Sequence, residues 1–215
     1  SQTQNVGEVE NKGVEIELNA DVVKWGDFTW NIYGNYATNE NEVLKLAQKA
    51  DGTDINLDGG YNRTRVGEPM GVWYLRGWAG VNSDAGNPRY YKGGATDPSM
   101  EIVNSYGAAL QSVQGNRMPD YSGGLGTRFS YKSFFVDANF YFQGGNKIYE
   151  RWNWYTHASN LLSTRYYQGS QALLARWQKP GDVTDVPRMR WSTSTSGTGS
   201  GNTSRFLYDG DYVRL

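Results

Sequence analysis

The chain has 215 residues with 27 glycines, 16 tyrosines, 8 tryptophans and no cysteine, and its formal net charge is -1. Near-neutral charge gives no bulk electrostatic reason to bind nucleic acid or an anionic membrane surface, and the missing cysteines exclude disulfides and thiolate metal sites. Sparse Leu, Ile and Val, beside abundant Gly and aromatics, disfavour a soluble α/β enzyme.

Residues 1–12 are polar and read as a loop entering the first strand, and Ser1-Gln2-Thr3-Gln4 has no signal-peptide character. From Gly13 the pattern becomes strictly alternating. Val14, Ile16, Leu18, Ala20 and Val22 alternate with Glu15, Glu17, Asn19 and Asp21. A period of two places the two sets on opposite faces of a strand. After a tight turn at Trp25-Gly26-Asp27, Phe28, Trp30, Ile32, Gly34 and Tyr36 alternate with Thr29, Asn31, Tyr33 and Asn35. The two arms form a hairpin with strands at about 13–24 and 28–37, each near the length of a tilted bilayer-crossing strand, about 9–11 residues.

A long excursion follows from 38 to 120, which for a segment of that length usually signals function. Within it, Arg65–Tyr74 reads as a strand broken by Gly and Pro, and 80–91 is turn-rich. A second hairpin occupies 122–132 and 134–144 around Lys132-Ser133. Leu125, Thr127, Phe129 and Tyr131 lead in, and Phe134, Val136, Ala138, Phe140 and Phe142 lead out. A second excursion, 145–205, carries the one expected helix. Ser170 is its N-cap, Leu173, Leu174 and Trp177 its apolar stripe, and Pro180-Gly181 its stop. Ser192–Ser204 is Ser/Thr/Gly-rich and reads as mobile. Residues 206–215 read as a fifth strand.

Short connections at one end, long ones at the other, and aromatics at both strand ends fit an all-β, antiparallel transmembrane barrel segment. The residues alone leave a second reading open, a soluble β-sandwich with an aromatic core. A bacterial membrane barrel needs at least about eight strands, so on the barrel reading five strands are part of a larger one.

Five stretches, in order, resemble the C-terminal part of the SusC/RagA family of TonB-dependent outer-membrane transporters. They are Asn5–Leu18; Trp30–Ala37 followed by Asn41–Leu46; Val66–Tyr74 followed by Ala79-Gly80-Val81; Arg176–Arg188; and Ser204–Leu215. The resemblance implies a barrel of about 22 strands with a plug, in the outer membrane of a Gram-negative bacterium. It implies a SusD-like surface lipoprotein as partner, an oligosaccharide or peptide ligand, and energy from the TonB complex through parts of the protein outside these 215 residues. This chain would supply barrel wall, contact outer-membrane lipid, and contribute two large extracellular loops with a short helix. It would act by binding and passage, without catalysis.

On that reading Glu15, Glu17, Asn19, Asp21, Arg128, Asp137 and Asn139 face the lumen. Trp73, Tyr74, Trp78, Trp152, Trp154 and Tyr155 are candidates to touch ligand or lid; the plainer alternative is that these rings pack the loops together. Asp54-x-Asn56-x-Asp58-Gly59 matches the opening of a calcium loop, but Arg65 stands where its bidentate carboxylate belongs. An acidic solvated turn is the alternative, and no cofactor is expected. The only histidine, His157, reads as solvated. On the sandwich reading the loop tryptophans would be a glycan site. A third reading, a glycoside hydrolase, would need two carboxylates converging in a cleft.

Overall fold

The computed structural model describes residues 7–94, 97, 99–160, 165–194 and 196–215. Residues 1–6, including Asn5 and Val6 of the first resembling stretch, lie outside that description. The chain is all-β with short helical turns. In order, the strands are β1 (Glu8–Lys12), β2 (Glu15–Trp25), β3 (Phe28–Thr38), β4 (Glu40–Lys45), β5 (Leu57–Asp58), β6 (Asn62–Thr64), β7 (Val72–Leu75) and β8 (Trp78–Val81). Then come β9 (Pro88–Tyr91), β10 (Ile102–Val103), β11 (Ser112–Gly115), β12 (Tyr121–Tyr131), β13 (Phe134–Gly144) and β14 (Lys147–Tyr149). After helix α1 (Arg151–Thr156) follow β15 (Leu207–Asp209) and β16 (Tyr212–Arg214).

One antiparallel sheet dominates, in the order β16-β13-β12-β3-β2. Four of its strands are 11 residues long. Register aligns the alternating pattern across the sheet. Trp25, Phe28, Tyr131 and Phe134 form one row, and Val23, Trp30, Phe129 and Val136 the next. At the far end Leu18, Gly34, Leu125 and Phe140 align, then Ile16, Tyr36, Gly123, Phe142 and Val213. Trp30 stacks on Phe129 at 5.6 Å, and its indole N–H donates to Thr127 Oγ1 at 2.9 Å, so the apolar face leaves that donor satisfied.

Among the described residues no second sheet covers this face. Val14, Ile16, Leu18, Phe129, Val136 and Phe140 are all exposed. A sandwich would bury them under a second sheet, so that expectation fails on the packing.

The two-residue turns Gly26-Asp27 and Lys132-Ser133 lie side by side, with Lys132 N–H donating to Asp27 O at 3.2 Å. Each first turn residue has positive φ, 56° at Gly26 and 54° at Lys132, as two-residue hairpin loops require.

The opposite end carries a second body, built from the two long connections together with β1 and β15. It contains the sheets β1-β4, β10-β9-β8, β11-β7-β6-β5 and β14-β15. Every buried hydrophobic residue of the core lies here, including Val43, Val72, Leu75, Tyr90, Leu173 and Phe206.

Several expectations are corrected. Residues 8–12, read as loop, form β1 because they find a partner 30 residues on in β4. A bulge between Asp21 and Val23 puts Val23, not Val22, opposite Trp30. The strand expected over 206–215 breaks at Gly210-Asp211 into β15 and β16, which join different sheets. The expected helix is a 3-10 turn, Gln171–Ala175, since Trp177 N–H bonds to Val186 O instead of continuing it. Ser170 Oγ caps it through Ala172 N–H; Leu173 is buried but Leu174 is exposed. The α-helix itself is α1, capped by the Glu150 carboxylate on Trp152 N–H. The Ser/Thr/Gly-rich stretch read as mobile contributes Thr198, Ser200 and Thr203, all with 0% exposure. Thr203 Oγ1 donates to Gly199 O and Arg205 Nη1 to the Thr198 carbonyl, so hydrogen bonds hold this stretch in place, while the Ser200 hydroxyl is buried without a partner among the described residues.

Candidate functional site

The sheet's second face is polar, and its side chains bond to one another across strands. Asp21, Asn31, Arg128 and Asp137 share one row; Asn19, Tyr33, Gly126 and Asn139 the next. Asn31 Nδ2 donates to Asn19 Oδ1 at 2.9 Å and to Asp21 Oδ1 at 3.0 Å, and Lys24 pairs with Asp21 at 3.0 Å. Tyr33 OH donates to Asp137 Oδ1 at 2.7 Å, and Arg128 Nε lies 3.2 Å from Asp137 Oδ2. Tyr33 reaches Asp137 by crossing over Gly126, where a Cβ would stand 2.2 Å from the ring. Glycine is required there because the ring occupies the side-chain space. Of the expected polar-face residues, Asn19, Asp21, Arg128 and Asp137 join this network. Glu15, Glu17 and Asn139 sit exposed on the same face. A water-facing wall explains all of them without acid/base chemistry.

The expected loop aromatics separate into two sets. Trp73, Tyr74 and Trp78 are built into the loop body. Trp73 donates from its indole to Lys147 O at 2.8 Å and packs against Tyr61 and Tyr149. The Tyr74 ring carries the Arg63 guanidinium at 4.0 Å, and Arg63 in turn forms a two-pronged pair with Glu68. Trp78 donates to Asp185 Oδ1 at 2.5 Å and meets the Tyr90 ring edge-on. Trp152, Trp154 and Tyr155 belong to α1 and its surface. Trp152 is exposed, and Tyr155 joins it to Trp154 and Tyr167 with centroids 6.0, 5.1 and 4.8 Å apart. Trp152 faces outward, while Trp154 and Tyr155 are half-buried and the Trp154 indole nitrogen is buried without a partner among the described residues.

The calcium candidates do not converge. Asp54 accepts from Gln48 Nε2, while Asp58 pairs with Arg63 in the β5–β6 ladder. Among the described residues no three His, Cys, Asp or Glu side chains cluster as a metal site would need. His157 is not simply solvated. It packs on Phe206 at 5.9 Å, and burial, with the Arg205 charge behind it, holds its pKa below the ordinary value.

The sequence reading missed Arg205 as a buried cation. Its side chain is 2% exposed, lies over the Trp78 and Phe206 rings, and has the Asp185 carboxylate 3.7 Å from Nε. Burial pushes the guanidinium down from its usual value, and Asp185 pulls against that shift. Asp185 thereby ties the 176–188 segment to β8 and to 198–205. Trp177, donating to Ser83 O, and Arg188 N–H, donating to Gly86 O, add two more ties. An arginine between Ser204 and Phe206 carries no local signal of burial, because Trp78 and Asp185, which meet it, come from two distant segments.

Comparison with known proteins adds to this geometry. No protein-family model matches the chain. It is 30% identical over 233 residues to TonB-dependent receptor P3 of Formosa agariphila, covering all of this chain and 22% of that receptor. TonB-dependent receptor P26 of the same organism is 32% identical over 236 residues, with 100% and 22% covered. TonB-dependent receptor SusC of Bacteroides thetaiotaomicron is 23% identical over 172 residues, covering 78% of this chain and 17% of SusC. The solved structure of the RagAB peptide transporter superposes with a TM-score of 0.80 at 24% identity, covering 100% of this chain and 23% of that one. The chain spans about a fifth of the length of the curated relatives it matches. It therefore belongs to the TonB-dependent receptors, and shares its fold with the RagAB transporter structure.

Proposed function

We propose that these residues form part of the wall and the extracellular vestibule of an outer-membrane nutrient importer of a Gram-negative bacterium. The five-stranded sheet spans the membrane, with the apolar face on lipid and the bonded polar face on the lumen of a barrel of about 22 strands. The loop body stands outside the cell. There a SusD-like lipoprotein docks on it, and an oligosaccharide or peptide enters. The TonB complex energises passage through parts of the receptor other than this stretch. The work is binding and passage, with no bond made or broken.

The observation that carries this reading is the sheet with one exposed apolar face and one internally bonded polar face. In water, residues such as Phe134 and Val136, 81% and 66% exposed, would have no reason to be apolar. In lipid they are at home. The edges support the same reading. β2 has an unpaired long edge, and β16 covers only Tyr141–Gln143 of β13. Each unpaired backbone group in lipid costs several kcal/mol, so further strands must lie against both edges.

Purification in detergent from the native membrane tests the proposal. A mass of 24.1 kDa at 22% coverage scales to a receptor of about 110 kDa. Such a species, copurifying with a surface lipoprotein and required for uptake of a labelled nutrient, is expected. A monodisperse protein soluble without detergent would overturn the proposal.

A further inference from the structure

One pocket lies apart from the polar face of the sheet and from the loop aromatics discussed above. Arg188, Arg190, Trp191, Ser192, Ser194 and Gly197 line an open cavity of about 420 Å³ on the loop body, within the usual range of small-ligand sites, about 300–1,000 Å³. Its floor is fixed. Arg190 N–H donates to Ser159 O at 2.8 Å, and Asn160 Nδ2 to Ser194 O at 3.0 Å. Ser159 and Asn160 are themselves fully buried.

The two guanidinium groups are uncompensated. Among the described residues no carboxylate lies within ion-pair distance of Arg188 or Arg190. Arg190 Nη2 donates to Asn87 Oδ1 at 2.7 Å, which aims the group, while its Nε is buried with no partner. Gly197 keeps the approach clear, since a Cβ there would stand 3.3 Å from Arg190 Cδ and 3.5 Å from Nε. Beside them Trp191 is 89% exposed and packs on nothing within the chain's core.

We propose that this pocket binds the acidic residue of an oligosaccharide. The Arg188 and Arg190 forks take its carboxylate or sulfate, and the Trp191 ring packs against the sugar face. Planar forks match oxyanions in two-pronged fashion, and an indole offers a flat apolar surface with a polar edge. Ser192, Ser194, Met189 and Gly197 complete the lining. The inference rests on the import reading for the ligand's arrival from outside the cell.

The test is titration calorimetry on the full receptor in detergent. The probes are tetragalacturonate, a sulfated tetrasaccharide, a neutral tetrasaccharide and an acidic tetrapeptide. Binding of either acidic saccharide, weakened at least tenfold by Arg188→Gln with Arg190→Gln, is expected. Trp191→Ala should weaken it similarly, with Trp191→Phe restoring most of the loss. The charge variants should leave neutral-saccharide binding unchanged. Equal affinity for acidic and neutral saccharides, preference for the peptide, or indifference to all variants would overturn the inference. Uptake measured in parallel separates the two claims. An importer that transports yet ignores acidic saccharides loses only the pocket assignment, whereas a receptor that transports nothing loses the import reading.

Discussion

The sheet and the loop body are built from the same alphabet and obey opposite rules. In the sheet, Ile16, Leu18, Leu125 and Val136 are 56–66% exposed, and its polar side chains bond sideways to each other. In the loop body, Val43, Leu75 and Tyr90 have 0% exposure, and small polar residues such as Ser159 and Thr203 are buried with them. The loop body has a core of its own. On the membrane reading proposed above the sheet needs none, because lipid is its apolar solvent and packing against self would gain nothing.

The contrast can be broken most forcefully by paired truncations. Leu75→Ala should destabilise the loop body by about 2–5 kcal/mol, the range for a buried leucine. Ile16→Ala should cost less than about 1 kcal/mol in the bilayer, because lipid fills the space a core would leave empty. Amide-exchange protection in the reconstituted receptor reads both. Arginine scanning sharpens the assignment of faces. Ala138→Arg, at mid-strand on the apolar face, should cost about 2–4 kcal/mol in folding into lipid, whereas Asn139→Arg, on the polar face, should stay within about 0.5 kcal/mol.

Gly126→Val is expected to have a smaller effect, about 1–3 kcal/mol. It displaces the Tyr33 ring and breaks the bond to Asp137 while leaving the apolar face intact. Chemical modification of Tyr33 should rise in that variant. The smallest expected effect is a pH dependence confined to the loop body. Burial lowers the folded pKa of His157, so the folded state resists protonation that the unfolded chain accepts near pH 6.5. Its contribution to stability is therefore complete above that pH and declines as pH falls below it. Protection of α1 and of 204–209 should drop between pH 7.5 and 5.5, and His157→Gln should remove the drop, while β12 and β13 show none.

The same contrast explains what was legible in the sequence. A strand with one face in lipid and one in a wet interior obeys a single local rule, period two. The alternation from Phe134 to Gly144 is therefore readable without any partner. The Asp21–Val23 bulge is the exception, since two valines in succession look alike until register shows which one meets Trp30. In the loop body each residue's state depends on distant partners. β1 was unreadable because half of its ladder lies in β4, and Thr198 looks like linker until Arg205 Nη1 is seen on its carbonyl. The loop aromatics were legible as a group, but not their division. Trp78 is held by Asp185, more than a hundred residues away, while Trp152 faces out. Arg188 and Arg190 gave no local sign of being uncompensated, because that depends on where every carboxylate ends up.

The most direct test of the central claim is spin-label accessibility along β13, which spans Phe134–Gly144. The stretch has no cysteine of its own, so single cysteines can be placed at each position in turn. Reconstituted in lipid, labels at 136, 138 and 140 should collide with oxygen, and labels at 137, 139 and 141 with an aqueous nickel chelate. Alternation with period two and that phase is the predicted result. Equal accessibility at successive positions, or the opposite phase, would contradict the assignment of the apolar face to the membrane.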